Sequence, residues 1–208
     1  MLPPTRGRSA AVLTGIPHVP AASGRIRIIG GHLRNSRIDV PDRPGLRPTP
    51  ERVRETLFNW LMAHVGGARV LDLFAGTGAL GLEALSRGAA EAVFVERDAG
   101  LAAALRANIA RLGQEGRARV IVGDAREAVA TLDGRFDLVF IDPPFAAGLW
   151  ADMADRLEAS GALGAGALVY VEAPLAAAPV LPQTWLLHKQ TRAGDVSGTL
   201  YRRAAAMA

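Results

Sequence analysis

The 208-residue chain predicts an α/β domain built on a mostly parallel sheet, and two observations carry that prediction. Apolar runs of strand length, such as Val70-Leu71, Ala92–Val95, Val120–Val122 and Phe136–Ile141, alternate with stretches of helical spacing. Each run also ends at or near an acid (Asp72, Glu96, Asp124, Asp142), the end of a parallel strand at which open α/β sheets bind ligands. A hydrophobic content of 50% is ample for one full core. No apolar run reaches the roughly 18 residues of a membrane span, so a soluble protein is expected. The absence of cysteine excludes a disulfide framework or a zinc-thiolate site and agrees with a reducing cytoplasm. His18, His32, His64 and His188 lack ligand spacing, and no metal is expected.

Residues 1–23 contain Pro, Ala and Arg without periodicity and are expected to form a disordered tail or to follow a misplaced start. Gly15, Pro17 and Pro20 interrupt any export-signal core. Residues 24–48 predict a basic β-hairpin arm and linker. Arg25-Ile26-Arg27-Ile28 alternates with period two, Gly30-Gly31 supplies a turn, Arg37–Val40 returns, and Pro41 to Pro48 separates the arm from the body. The body spans 49–208. It starts with Thr49 as N-cap and Pro50 at the first helical position, ahead of a core stripe of Val53, Leu57 and Leu61. A second helix is expected from the cap Asp98, with Leu101, Leu105, Ile109 and Leu112 on one face and Gly113 as its stop. Near the end, Thr184–Lys189 and Val196–Arg202 flank a short Gly-containing turn and predict an antiparallel hairpin.

The most specific chemistry lies in Asp142-Pro143-Pro144-Phe145. A carboxylate at a strand end, two prolines with carbonyls free to accept, and an aromatic face suit an exocyclic amine on a planar base. Such an amine is a weak nucleophile because its lone pair is delocalised, and two acceptors on its hydrogens localise that pair toward an electrophile. The second motif is Asp72-Leu73-Phe74-Ala75-Gly76-Thr77-Gly78-Ala79-Leu80-Gly81, a strand entering a Gly-rich turn and a helix. Its glycines match a dinucleotide fingerprint, and Glu96 lies roughly 20 residues on, in place for ribose hydroxyls. A nicotinamide oxidoreductase is thereby one reading. Asp72 favours another, because a second acid suits the ammonium of S-adenosylmethionine better than a pyrophosphate. On this reading Asp124 lies beside the adenine and accepts from its amino group.

Charge is uneven. Residues 1–54 carry ten arginines against Asp39, Asp42 and Glu51, a balance of +7, while 55–208 carry 14 basic and 17 acidic groups, a balance of −3. A basic arm on an acidic body fits a polyanion such as RNA.

Together with these two motifs, Arg27-Ile28-Ile29-Gly30-Gly31, Pro44-Gly45-Leu46-Arg47-Pro48-Thr49, Arg52–Trp60 and Gly78–Arg87 resemble the RsmD-type methyltransferases, which methylate the N2 amine of a guanine in bacterial 16S ribosomal RNA. These enzymes belong to the class I S-adenosylmethionine-dependent superfamily. The resemblance runs from about Arg25 to the end. It implies a Rossmann-like, mostly parallel seven-stranded sheet with an antiparallel last strand, plus the hairpin arm. Asp142, Pro143, Pro144 and Phe145 become the catalytic set. Asp72, Phe74, Ala75, Gly76, Thr77 and Gly78 become the cofactor loop, joined by Glu96, Arg97, Asp124 and Ala125, with Thr49 and Arg52 on a helix that closes over the cofactor. Arg25, Arg27, Arg34, Arg37 and Arg47 become RNA contacts. The implied partner is 16S ribosomal RNA in a partly or fully assembled small subunit, met by a cytoplasmic monomer without metal. Alternatives are adenine-N6 or other amino-group methylation on nucleic acid or protein, and a non-catalytic RNA-binding assembly factor.

Overall fold

Seven strands in the order β5-β4-β3-β6-β7-β9-β8 form the central sheet of the computed structural model, which describes residues 22–41 and 49–204. They are β3 (Arg69–Asp72), β4 (Glu91–Glu96), β5 (Ala118–Val122), β6 (Phe136–Ile141), β7 (Leu163–Pro174), β8 (Trp185–Ala193) and β9 (Val196–Arg203). The pairs from β5 through β7 are parallel, and β9 runs antiparallel between β7 and β8. The predicted fold class holds, including the antiparallel last strand. Strand order reverses at β3, where the chain builds outward to β5 and then crosses back to β6, so the crevice at the strands' carboxyl ends opens beside β3 and β6.

Two cores sandwich the sheet. On one face, Leu57 and Phe58 from α1 (Glu51–Trp60) with its C-cap Leu61, residues of α2 (Ala79–Ser86) and of α3 (Ala99–Arg111), and Ile28 and Ile38 of the hairpin pack on Phe94, Phe140 and Tyr170. On the other, α4 (Ala125–Val129) and α5 (Trp150–Ser160) pack on Val93, Val139 and Val169. The α3 stripe is as expected: the Asp98 carboxylate accepts from Leu101 N at 2.8 Å, Leu101, Leu105 and Ile109 are buried, and Gly113 is left-handed at φ 65°. The predicted start of α1 needs correction. Pro50, with φ −54° and ψ 144°, is the N-cap, and Thr49 does not cap the helix. Its hydroxyl is turned to the site described below.

The hairpin pairs β1 (Ala22–Arg27) with β2 (Arg37–Pro41), matching Arg25 with Asp39 and Ile26 with Ile38. It begins at Ala22, inside the segment assigned to the tail. The arginines are exposed and Ile28 and Ile38 fully buried, as the alternation requires. Two further expectations fail here. The turn is longer than Gly30-Gly31, because Ile28 N donates to Ser36 O at 2.9 Å and Asn35 N to Ile28 O at 2.9 Å. Gly31, at φ 77°, serves close approach instead: a Cβ there would sit 1.8 Å from the carbonyl oxygen of Ser86. Nor is the arm separate from the body. Glu83 of α2, wholly buried, accepts from Ile29 N at 2.7 Å, Gly30 N at 2.9 Å and Arg87 Nε at 2.7 Å, with Arg54 at 3.6 Å. Arg54 in turn donates to Arg27 O at 3.0 Å, and Asn108 of α3 exchanges two 3.0 Å bonds with the backbone of Asp39. Burying Ile28 and Ile38 adds about 1.5–3 kcal/mol each. Residues 1–21, the linker 42–48 with Arg47, and most of the Pro44–Thr49 motif lie outside the described residues.

Candidate active site at the strand ends

Period-two register gathers the acids on one face. Asp72 pairs with Phe94 of β4 and Phe140 of β6, and Phe140 pairs with Tyr170 of β7. Two residues beyond those partners stand Glu96, Asp142 and Glu172, so all four acids share the face covered by α1 and α2. The row crosses β4, β3, β6 and β7 at their carboxyl ends.

Asp72 is buried, and its Oδ2 accepts one hydrogen bond, from Gly81 N at 3.1 Å. Burial first, and the Glu96 charge after it, push its carboxyl up to about 7, against the pull of the Gly81 bond. Asp142 is half-buried. Burial, then Glu172 and Asp72, hold its carboxyl well above the ordinary range, opposed by a hydrogen bond from the Thr49 hydroxyl. Glu172 is raised by burial and receives bonds from Tyr170 Oη, at 3.2 Å, and from Thr49. Glu96 accepts Gly76 N and Asp98 N, each at 2.8 Å, on different oxygens, which leaves a lone pair on each for a further donor.

The loop between β3 and α2 is set by packing as well as by ligand approach. Gly76 and Gly78 are left-handed at φ 51° and 79°. A Cβ on Gly78 would meet Leu105 Cδ1 at 2.4 Å, and one on Gly81 would meet the Phe94 ring at 2.2 Å. These two glycines let α2 seat on α3 and the sheet, so close approach to a ligand is not their sole reason. Thr77 and Ala75 are buried and Phe74 half-buried beside them.

Beyond β6, Pro143 is buried, and Phe145, 42% exposed, opens a short 3₁₀ turn with its ring 6.0 Å from Trp150. The Pro144 carbonyl accepts Ala147 N at 2.8 Å and keeps one lone pair, while the Pro143 carbonyl is the acceptor nearer Asp142 in the chain. Asp124 is engaged differently from the other acids. It caps α4 through Arg126 N at 2.9 Å and pairs with the Arg126 guanidinium through two bonds of 2.8 Å, which hold its carboxyl down at about 2. Any contact to an adenine shares oxygens that Arg126 occupies. Ala125 is buried in α4, and Arg97 is exposed near Asp124. Arg52 lies on the exposed side of α1.

On the hairpin, Arg25 pairs with Asp39 at 3.2 Å and Arg27 with Glu51, while Arg34 and Arg37 are exposed and have no ion pair among the described residues. Among those residues, no group of three or more His, Cys, Asp or Glu is placed to hold a metal ion, and no helix is long and apolar enough to cross a membrane. Sequence reasoning missed Glu172 and Tyr170. The available signal was a lone acid inside the apolar run Ala167–Ala173, the same signature that marked Asp72 and Glu96.

Solved structures with this architecture include the Escherichia coli protein yhhF (45% identical, TM-score 0.81, 88% of this chain and 99% of that one) and a Haemophilus influenzae methylase (36% identical, TM-score 0.76, 87% and 99%). The strand order is that of a class I methyltransferase. The family model described as "Conserved hypothetical protein 95" matches residues 26–202. Ribosomal RNA small subunit methyltransferase D of Escherichia coli strain K12 is 47% identical over 89% of this chain and 93% of its own length, and its Haemophilus influenzae counterpart 39% identical over 88% and 96%. The chain belongs to this RsmD family.

Proposed function

We propose that the protein transfers a methyl group from S-adenosylmethionine to the exocyclic N2 amine of a specific guanine in 16S ribosomal RNA. The observation that carries this reading is the row of Glu96, Asp72 and Asp142 across adjacent strand ends, the first two buried and Asp142 half-buried, a surplus of acids with no paired cationic side chain among the described residues. A cationic ligand fits that surplus, and S-adenosylmethionine carries both an ammonium and a sulfonium. When bound, it supplies an electrophilic methyl group.

Asp72 would receive the ammonium. Glu96, held still by Gly76 and Asp98, would accept from the ribose hydroxyls, and Thr77 and Gly78 would shape the loop around the amino acid moiety. The target base leaves its stack to enter the crevice. There Asp142 and the Pro143 carbonyl accept from the two N2 hydrogens while Phe145 offers a stacking face, so that in-line transfer becomes a matter of positioning. The amine turns acidic only as its new bond forms, so Asp142 orients first and receives the proton late. Arg34 and Arg37, with Arg25 and Arg27 exchanging protein carboxylates for phosphates, would guide the RNA; Arg47 belongs to the same proposal. The RNA is proposed to be met within the small subunit by a cytoplasmic monomer.

Labelled methyl transfer from S-adenosylmethionine to ribosomal RNA taken from cells lacking the protein, followed by nuclease mapping, tests this. One labelled guanine in 16S RNA is expected. Label on an adenine, or on protein alone, would overturn the substrate assignment.

A further inference from the structure

The charge of the body is itself uneven. Residues 55–183 hold ten basic and 16 acidic groups, whereas 184–208 hold Lys189, Arg192, Arg202 and Arg203 against Asp195, a balance of +3. Of these four, Arg203 is taken up by Glu158 at 2.8 Å, and the other three have no ion pair among the described residues. Sheet register sorts them by face. Leu168 and Tyr170 of β7 belong to the core beneath α1, and their β9 partners are Arg202 and Leu200. On β8 these pair in turn with Leu186 and Lys189, so Lys189 and Arg202 share the α1 face, while Arg192, in register with Ser197 and Ala173, is on the other. The register slips between Leu187 and Lys189, which inserts His188 as an extra residue next to them. His64, in the turn after α1, brings its Nε2 within 3.5 Å of Arg202 Nη2. Burial, then Arg202, Lys189 and His64, push the His188 imidazole below its ordinary range. Two cations and two imidazoles are thus gathered from three segments of the chain.

β8 is a sheet edge, and a cation on an edge strand blunts pairing with other sheets. That accounts for Lys189. It does not account for Arg202, which is on the inner strand β9, or for His64 beside it. Leu186, opposite Arg202, and Met62, two residues before His64, are 56% and 72% exposed, and apolar groups among cations suit riboses and bases between phosphates better than a free inorganic anion. We propose that Lys189 and Arg202, with His64 and His188 beside them, form a second contact surface for the substrate RNA, binding its phosphates on the side of α1 opposite the hairpin. The inference rests on the RNA-substrate part of the reading given above. Strand β2 of the hairpin lies against α3, which covers β4 and β5, whereas α1 lies against β8 and β9. Five strand spacings separate β4 from β8, roughly 24 Å at about 4.8 Å each. Asp72 and Asp142 close β3 and β6, inside that span. An RNA gripped at both margins is held across the crevice, which limits the motions of a base that must enter between them. The cations also attract the polyanion to a margin of a body whose residues 55–183 would otherwise repel it.

Equilibrium binding of the full chain to small-subunit particles from cells lacking the protein, measured across salt, tests this surface. With Lys189→Ala and Arg202→Ala combined, two lost phosphate contacts should flatten the slope of log K against log salt by about 1.4–1.8, since each contributes about 0.7–0.9. Affinity for S-adenosylmethionine and the melting temperature should be unchanged. Arg192→Ala removes the same kind of charge from the opposite face of β8 and should leave the slope near that of the wild type. An unmoved slope in the double variant overturns the inference, and so does equal flattening per charge by Arg192→Ala, which would make net charge the cause. Weaker binding at an unmoved slope would assign the patch to a protein of the subunit, and self-association alone would assign it to edge protection; either overturns the RNA assignment. If the double variant does not fold, Lys189→Gln at its exposed position decides, with half the change in slope expected. Wild-type protein that binds with these slopes but transfers no methyl group overturns the methyl-transfer reading while the surface stands.

Discussion

Two regions of this molecule bury acids, and they treat them in opposite ways. At the hairpin clamp, Glu83 is surrounded by donors: two backbone N–H groups, the Arg87 guanidinium and Arg54. At the strand ends, Asp72 has one N–H and a like-charged neighbour, and Asp142 has a hydroxyl and two like-charged neighbours. A saturated acid is a fastener. An acid left short of positive partners weakens the fold that contains it unless a ligand supplies the missing charge, and that deficit separates site from scaffold here.

The sharpest way to break the comparison is at Asp142. Asp142→Ala should bind S-adenosylmethionine nearly normally and lose methyl transfer by about 100-fold or more in single-turnover assays, with Asp142→Asn retaining part because its amide oxygen still accepts one hydrogen. Wild-type turnover in Asp142→Ala would remove Asp142 from the chemistry.

Glu83→Ala probes the fastener. Stranding Arg54 and Arg87 and two hairpin N–H groups should cost about 3–5 kcal/mol in denaturant unfolding, whereas Asp72→Asn should cost little or add stability. Equal losses at both positions would erase the distinction drawn above.

Glu96→Ala should weaken S-adenosylmethionine by about 1.5–3 kcal/mol for each charged hydrogen bond removed, read by calorimetric titration. Unchanged affinity in a folded variant would take Glu96 out of the site.

Asp72 adds a pH signature. Its folded pKa, near 7, lies above the unfolded value, so its contribution to folding is fully present below about pH 4 and is lost as pH rises through 7. Binding a cation runs the other way, because the ligand needs the ionised form. Affinity for S-adenosylmethionine should be level above pH 7 and fall about tenfold per unit below it, and Asp72→Asn should flatten that dependence. A flat wild-type profile would separate Asp72 from the ammonium.

The smallest effect is expected on the hairpin surface. Deleting the arm would remove Ile28 and Ile38 from the core, so the informative variants are Arg→Ala at Arg25, Arg27, Arg34 and Arg37. Each RNA phosphate deprived of its arginine should flatten the slope of log K against log salt by about 0.7–0.9, with cofactor affinity unchanged. No change in slope would place the RNA elsewhere.

The strands, the stripes of α1 and α3, and Asp72, Glu96 and Asp142 as site candidates were legible in the chain before any fold was known. Those features are local: a period of two or 3.6, an N-cap, or an acid closing an apolar run can be read within a few residues. Which acids are spent on structure was not legible. Asp124 and Asp142 both close a strand, yet one is absorbed by Arg126 two residues on and the other faces Glu172, 30 positions away. The hairpin likewise read as a free arm and Thr49 as a cap, because Glu83, Asn108 and the Asp142–Glu172 pair reach those segments across 53 to 123 positions of sequence. Packing decided these points, since the charge and hydrogen-bond balance of a buried group depends on neighbours that only the assembled sheet brings within bonding distance.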